Sequence, residues 1–499
     1  MKDRIKNSLL MERIMTAEEA AEMIEDGMTV ATSGFTPSGY PKAVPMALAK
    51  RVREKNENIK INLITGASVG DELDGELSRA GIINKRLPYQ TNKSVQESIN
   101  RGDMEFVDQH LSHVAQNINY NFIEKIDIGI IEAVEITEEG YIIPSTSVGI
   151  TPTIAKKAEK IIVEINTSQP LELKGIHDIY TLDNPPYRKP IPIVRCSDRI
   201  GTEYIPLDKN KIAGIVITDI IDNTRPLSPV KDIHKRMAEI LMEFLEFEIK
   251  KGRIPKELLP FQSGVGSIAN AVLAGFLDSK YENLEFYTEV VQDSIIDLID
   301  RGKVCCASTT AITPSPEYLE RIYKNISEYK KRIILRPQEI SNHPEVIRRL
   351  GVIAMNTAIE VDIYGNVNSS NVLGGNMMNG IGGSGDFARN SYISIFFTES
   401  TRKDGNISAI VPMVSHHDHT EHDVDIIITE QGIADLRGLS PKEKALRIIE
   451  NCVHPDYKPQ IKEYFSMALN RKRGMHIPVL LDKALSWHHR LDVYGTMKE

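Results

Sequence analysis

Residues 258–293 read LLPFQSGVGSIANAVLAGFLDSKYENLEFYTEVVQD, and the order of residue types along them decides the fold. Phe261, Gln262 and Ser263 close a short apolar run. Gly264 and Gly266 supply a tight turn, and Ile268, Ala271, Val272, Gly275 and Phe276 then recur at helical spacing. A strand pattern returns in LEFYTEVV, with the carboxylate of Glu289 at its end. Strand, helix and strand make a βαβ unit. Its first turn and the end of its second strand share the carboxyl edge of a parallel sheet, where open α/β folds place ligands. Glu289 and the amides near Val265 are therefore expected to be neighbours. Two functional readings fit. Gly264-x-Gly266-x-x-Ala269, with an acid about 20 residues later, matches the dinucleotide fingerprint of an NAD-dependent dehydrogenase, although no second glycine-rich phosphate loop accompanies it. In the other reading Glu289 is a nucleophile and the Val265 amide an oxyanion donor.

Outward from this stretch, the same grammar occurs twice. GMTVATSGF, VPMALAKRV and IKINLITGAS parallel LLPFQSGV, SIANAVLAGF and LEFYTEVVQD. IGIIEAVEITEEGYIIPST parallels MNTAIEVDIYGNVNSS, each an apolar run followed by a hairpin pattern. KIIVEINTS parallels YISIFFTES, and AGIVITDII echoes VDIIITEQG. The expected fold is α/β: two similar domains with mostly parallel sheets. They divide near 223–233, where two prolines and turn formers precede the helical pattern HKRMAEILMEFLEFEIKKG. The expected domains are 1–228 and 229–499, the second carrying Glu289. Near the start, Thr16 and Glu19 form a capping-box pattern opening a helix that Gly27 would end.

Composition excludes several classes. A chain of 499 residues exceeds one hydrophobic core, and 41% hydrophobic with 26% charged residues is ordinary for a globular protein without disordered arms. A net charge of −9 argues against nucleic-acid binding, which needs a basic face, but is silent about a small anionic ligand. The single Trp487 and few aromatics argue against a stacking platform for single strands. The basic stretch KNISEYKKRIILRP reads as a solvated helix face. No stretch has the apolar length of a signal peptide or a membrane span. Four cysteines, Cys196, Cys305, Cys306 and Cys452, have neither metal-motif spacing nor disulfide density, so a reducing cytoplasm is expected and the Cys305–Cys306 pair reads as small buried hydrophobes.

QSGVGSIANAV, YTEVVQD, RPQEISNHPE, NGIGGSGDFARN and VPMVSHHDHTEHDV together resemble the acetyl-CoA hydrolase/transferase family of class I CoA-transferases, especially its succinyl-CoA:acetate or succinyl-CoA:CoA transferase branch. The likeness runs from SGFTPSGYPKAVP to ENCVHPDYK. It implies two α/β domains with the active site between them, and no metal or permanently bound cofactor. Coenzyme A is then a substrate and a covalent glutamyl-CoA intermediate, alongside acyl-CoA and small carboxylic acids. It further implies that Glu289 attacks the thioester and that the amides of Val265 and Gly383 stabilise the oxyanion. Phe261, Gln262, Ser263, Gly264, Val265, Asn379, Gly383 and Lys403 would contact CoA, with Lys403 near a nucleotide phosphate. Arg225, Asn342 and Glu430 would position the carboxylic substrate, although Arg225 and Glu430 fit a structural ion pair equally well; Ser68, which the internal repeat places opposite the Glu289 turn, is expected to approach the same cleft as a substrate-positioning hydroxyl.

The chemistry supports such a nucleophile. A carboxylate can carry an acyl group as an anhydride and CoA as a thioester, provided the site keeps it ionised against desolvation. A serine hydrolase built on Ser68 lacks the GxSxG elbow. His416, His417, His419 and His422 have spacings that can converge on an ion, but no cysteine or glutamate ligand pair accompanies them, and a polar segment near the domain interface is expected instead. The nearest rival is an acetyl-CoA hydrolase using the same Glu289. A CoA-binding regulator without turnover and the dehydrogenase are the other classes. A homodimer is the base-rate assembly.

Overall fold

The computed structural model describes residues 3–226, 229–264, 266–472 and 474–499. The chain divides into two compact units, Met1–Leu227 with Glu285–Leu350, and Ser228–Leu284 with Gly351–Glu499.

The first unit is built on seven strands, all parallel. Their order is Glu105–Phe106, Ile83–Leu87, Ile61–Ile64, Thr29–Thr32, Ile128–Ala133, Lys160–Asn166 and Ile212–Thr218. Val30 lies between Leu63 and Ile128 across the sheet. The strands are apolar runs with almost every residue buried, because crossover helices cover both faces. One of these, Ala43–Lys55, turns Val44, Ala47, Leu48 and Val52 onto the core at helical spacing.

Strand order reverses between Thr29–Thr32 and Ile128–Ala133, the kind of switch point at which a parallel sheet opens a crevice. The chain's own polar groups fill this one. Lys42 is wholly buried, with its Nζ 2.6 Å from Glu132 and 2.8 Å from Asp222. Asp222 also accepts the Thr146 hydroxyl at 2.7 Å and the Gly39 amide. Burial raises the Glu132 pKa, with Lys42 opposing it. For Lys42 burial acts downward, but the Asp222 and Glu132 carboxylates outweigh it and hold the ammonium protonated. The later part of this unit sets Leu284–Tyr287, Val304–Thr309 and Ile333–Leu335 side by side, with Ala307 opposite Ile333 in a parallel pair.

In the second unit Phe261–Ser263, Ile353–Thr357, Ile393–Phe397 and Ile426–Thr429 run parallel, and Gly432–Asp435 turns back antiparallel. Helices Pro441–Cys452 and Lys458–Arg471 cover a core in which Trp487 lies 5.4 Å from the Tyr457 ring.

The architecture is thus mostly parallel α/β, as the sequence patterns imply. The strand, helix and strand of 258–293 form as Phe261–Ser263, Ser267–Ala274 and Leu284–Tyr287. Both hairpin patterns fold as antiparallel pairs, Glu135–Ile136 with Ile142–Ile143 and Glu360–Asp362 with Val367–Asn368. One expectation needs correction. The capping box at Thr16 and Glu19 is present, but its helix is only Ala17–Ala21 and stops well before Gly27. The Met23 and Ile24 amides bond three residues back, at 3.2 and 3.1 Å, which tightens the last turn, and Gly27 (φ +83°) belongs to a separate turn.

Candidate functional site

In the first unit, Glu289 stands where Leu284–Tyr287 ends and Val290–Val291 begins. Its main chain is clamped. The Glu289 carbonyl accepts the Thr309 hydroxyl at 2.7 Å and the amides of Thr310 and Ala311 at 3.1 and 3.2 Å. The side chain is held by Asn342, whose Nδ2 donates to Oε1 at 2.8 Å. Asn342 caps the helix Gln338–Ser341. That helix is docked through Gln338, which donates its amide to the Gly149 carbonyl at 3.0 Å and its Nε2 to the Leu111 carbonyl at 2.9 Å. The approach is close enough that a Cβ on Gly66 would lie 2.9 Å from Gln338 Oε1 and 2.5 Å from the Gly34 carbonyl. Glycine is required there so that two strand-end turns can meet the helix carrying Asn342.

Burial pushes the Glu289 pKa up to about 7, and the Asn342 hydrogen bond pulls the other way. The residue as a whole is half-buried. The carboxyl is therefore near half-ionisation at neutral pH, which suits a nucleophile that must shed water before it attacks. Phe35, Ala67, Leu111, Val290 and Ala311 form a small buried apolar cluster beside it, with Tyr89 packed against them. Ser68 directly follows Ala67 and is buried. The first unit thus brings Glu289, Asn342 and the Ser68 turn into one neighbourhood. Arg225, also in this unit, is exposed, with its guanidinium 3.4 Å from the Thr91 carbonyl.

The remaining candidates belong to the second unit, apart from Val265, which lies outside the described residues. Phe261 is buried edge-on to Phe276 at 5.1 Å. Gln262 spans to the next strand, accepting the Met355 amide at 3.1 Å and donating to Asn356 Oδ1 at 3.2 Å. Ser263 is buried, and the Gly264 amide donates to the Met355 carbonyl at 2.9 Å. These bonds fix the end of the strand. Gly266 then takes φ +114° and ψ 178° as the cap of Ser267–Ala274, a conformation essentially confined to glycine. A cavity of about 380 Å³ opens at this cap, and its lining includes Gly266, Ser267, Ser369, Asn379, Glu399 and Arg402. Gly383 caps the helix Ser384–Asn390. Lys403 is exposed at the turn of a hairpin, with φ +48°. Glu430 is held by the Ser400 amide at 2.9 Å, by the Ser400 hydroxyl and by Gln431 Nε2 at 2.9 Å.

Sequence reasoning missed Arg402, which lines the cavity where its neighbour Lys403 does not. Burial lowers the Arg402 pKa, the Glu399 carboxylate opposes this, and the guanidinium donates to the Ala358 carbonyl at 3.1 Å. It also missed Lys231 and His234, which hold Glu399 at 2.9 and 2.8 Å in the same cavity wall. No motif marks these residues. Among the described residues no group of three or more histidine, cysteine, aspartate or glutamate side chains gathers as a metal site, and no helix is long and apolar enough to cross a membrane. All four cysteines are free, and burial pushes the Cys306 thiol up to about 12.

Comparison with known proteins bears on both units. Residues 1–217 match the acetyl-CoA hydrolase/transferase N-terminal domain and residues 319–465 the C-terminal domain. The chain is 58% identical over 495 residues to a succinyl-CoA:acetate CoA-transferase of Clostridium kluyveri, covering 99% of this chain and 92% of that protein. It is 46% identical over 516 residues to an acetyl-CoA hydrolase of Schizosaccharomyces pombe, covering 98% and 99%. The crystal structure of RipA from Yersinia pestis shares the fold, with a TM-score of 0.70 at 21% identity over 91% of this chain and 97% of that one.

Proposed function

The chain belongs to the acetyl-CoA hydrolase/transferase family, and from that premise we propose that it is a CoA-transferase acting on short-chain carboxylic acids, converting succinyl-CoA and acetate to acetyl-CoA and succinate. The observation that carries this reading is the Glu289 carboxyl at a strand end, its backbone carbonyl clamped by Thr309, Thr310 and Ala311 and its side chain hydrogen-bonded by Asn342. A Glu289 oxygen attacks the thioester carbonyl, the C–S bond breaks and CoA leaves as the thiolate, giving an acyl-glutamyl anhydride. The thiolate attacks the glutamyl carbonyl and expels succinate, leaving a glutamyl-CoA thioester. Acetate then reverses both steps: it attacks the glutamyl carbonyl and releases the thiolate, which takes the acetyl group and frees Glu289. The cycle is ping-pong. By the family resemblance, the amides of Val265 and Gly383 are the oxyanion donors, each contributing on the order of 10²–10³ in rate. By the same resemblance, Phe261–Ser263, Gly264, Asn379 and Lys403 contact CoA, while Arg225 and Glu430 orient the carboxylic substrate; Ser68, placed by the internal repeat, assists them. In this proposal the chain carries two duplicated domains, 1–228 and 229–499, and two copies of the whole chain form a cytoplasmic homodimer.

Incubation with succinyl-CoA followed by peptide mass mapping tests the reading. A CoA adduct on Glu289, absent in Glu289→Ala, is expected, and parental turnover in that variant would refute it. A second reading, acetyl-CoA hydrolysis through the same glutamate, is favoured by the likeness to the Schizosaccharomyces hydrolase. Thioester loss in buffer at the rate seen with saturating acetate would select hydrolysis.

A further inference from the structure

Four histidines occupy 416–422, and one differs from the others. His417 and His422 are exposed and His416 is half-buried, whereas His419 is buried. Its backbone is fixed by Val367, which donates to the His419 carbonyl at 2.8 Å and accepts the His419 amide at 3.1 Å. Its ring lies 4.8 Å from that of Phe396. From this fixed seat, Nε2 reaches the Ser384 hydroxyl at 3.1 Å and the Ser369 hydroxyl at 3.4 Å.

The direction of the shorter bond follows from counting protons. Ser384 Oγ donates its only proton to the Ile381 carbonyl at 2.7 Å, so it must accept from His419, whose Nε2 carries the hydrogen. The relay runs from His419 Nε2–H to the Ser384 hydroxyl to the Ile381 carbonyl. It spans a segment with little conformational preference of its own, since Gly380 (φ +156°), Gly382 (φ +57°) and Gly383 have no side chains to restrain them. Ser369, the second partner, lines the cavity together with Asn379.

Resting on the proposed transferase reading, we propose that His419 is a positioning residue. Through the Ser384 hydroxyl it sets the aim of the Gly383 peptide, whose N–H must point at the developing oxyanion. Such a donor works only within about 2.7–3.1 Å of that oxygen, and a misplacement of about 1 Å can cost on the order of 10²-fold in rate. A glycine segment cannot hold that tolerance unaided.

The test uses the full chain with succinyl-CoA and acetate, comparing His419→Leu, His419→Gln, Ser384→Ala and the Leu/Ala double variant, with Glu289→Ala as reference. His419→Leu and Ser384→Ala are each expected to lower kcat about 10- to 100-fold, with KM for succinyl-CoA within about threefold of the parent. His419→Gln, which restores a donor near the Nε2 position, should recover most of the loss. The double variant should be no slower than either single one, because both cut the same relay. A parental kcat in both single variants, a loss confined to KM, or a Gln variant as slow as the Leu variant would overturn the proposal. Should His419→Leu fail to fold, Ser384→Ala decides by the same kcat and KM criteria. A Glu289–CoA adduct in the parent, absent in Glu289→Ala, keeps the transferase reading standing whatever His419 does. Without that adduct in the parent, the reading fails and the inference falls with it.

Discussion

Replacing Asn342 by alanine should disable the enzyme at neutral pH and spare it at high pH. The Asn342 Nδ2 bond to Glu289 Oε1, at 2.8 Å, favours the ionised carboxylate against the burial that has raised its pKa to about 7. A hydrogen bond to a charged group contributes about 1.5–3 kcal/mol, and one pKa unit is about 1.4 kcal/mol, so its loss should raise the Glu289 pKa by roughly 1–2 units. The ionised fraction at pH 7 then falls from about one half to roughly 1–10%, and kcat/KM falls about 5- to 50-fold, since only the ionised form attacks. Between pH 9 and 10 the variant should return to within a few-fold of the parent. The assay is the pH dependence of kcat/KM for succinyl-CoA, whose acid limb reports the free enzyme. An unmoved acid limb with a uniform drop at every pH would refute this account, and Asn342 would then act on the substrate rather than on the nucleophile.

Glu289→Gln should be more stable than the parent in alkaline solution. A carboxyl whose folded pKa lies above its unfolded value costs nothing while neutral in both states, and its penalty grows as pH rises through the window from about 4.5 to 7. The cost, discounted for partial exposure, is roughly 2–3 kcal/mol, so the variant should melt several degrees higher at pH 8 and at the parental temperature at pH 4. Equal differences at both pH values would contradict the shift. Lys42→Met should destabilise the first unit by about 3–5 kcal/mol in denaturant unfolding, because Glu132 and Asp222 lose their buried counter-charge; a loss below about 1 kcal/mol would mean that solvent reaches the crevice. Gly266→Ala should cost about 1–3 kcal/mol from backbone strain alone, since a Cβ there meets nothing within 4 Å; a neutral substitution would show that the turn relaxes.

Much of the fold could be read along the chain because the signals are local. Apolar runs of 160–166 and 393–397 became strands buried on both sides, and the glycine pair after Ser263 became a turn into a helix. Local patterns also set limits. The capping box at Thr16 announced a helix but not its length, which the tightening at Met23 and Ile24 decided. Lys403 and Arg402 are adjacent cations, and only the hairpin shows that it is Arg402 that lines the cavity.

Sequence by itself determined the alternation of strand and helix, the doubled pattern, the carboxylate at a strand end and the family to which these motifs belong, all of which are written in residue order. Tertiary structure alone decided which donors reach those groups. Asn342 meets Glu289 across 53 positions, His419 meets Ser384 across 35, and Glu285–Leu350 falls in one compact unit with Met1–Leu227. Spacing along a chain constrains contacts within a turn or two of helix or a strand pair. The aim of a hydrogen bond between distant residues depends on how whole elements pack, which no local pattern encodes.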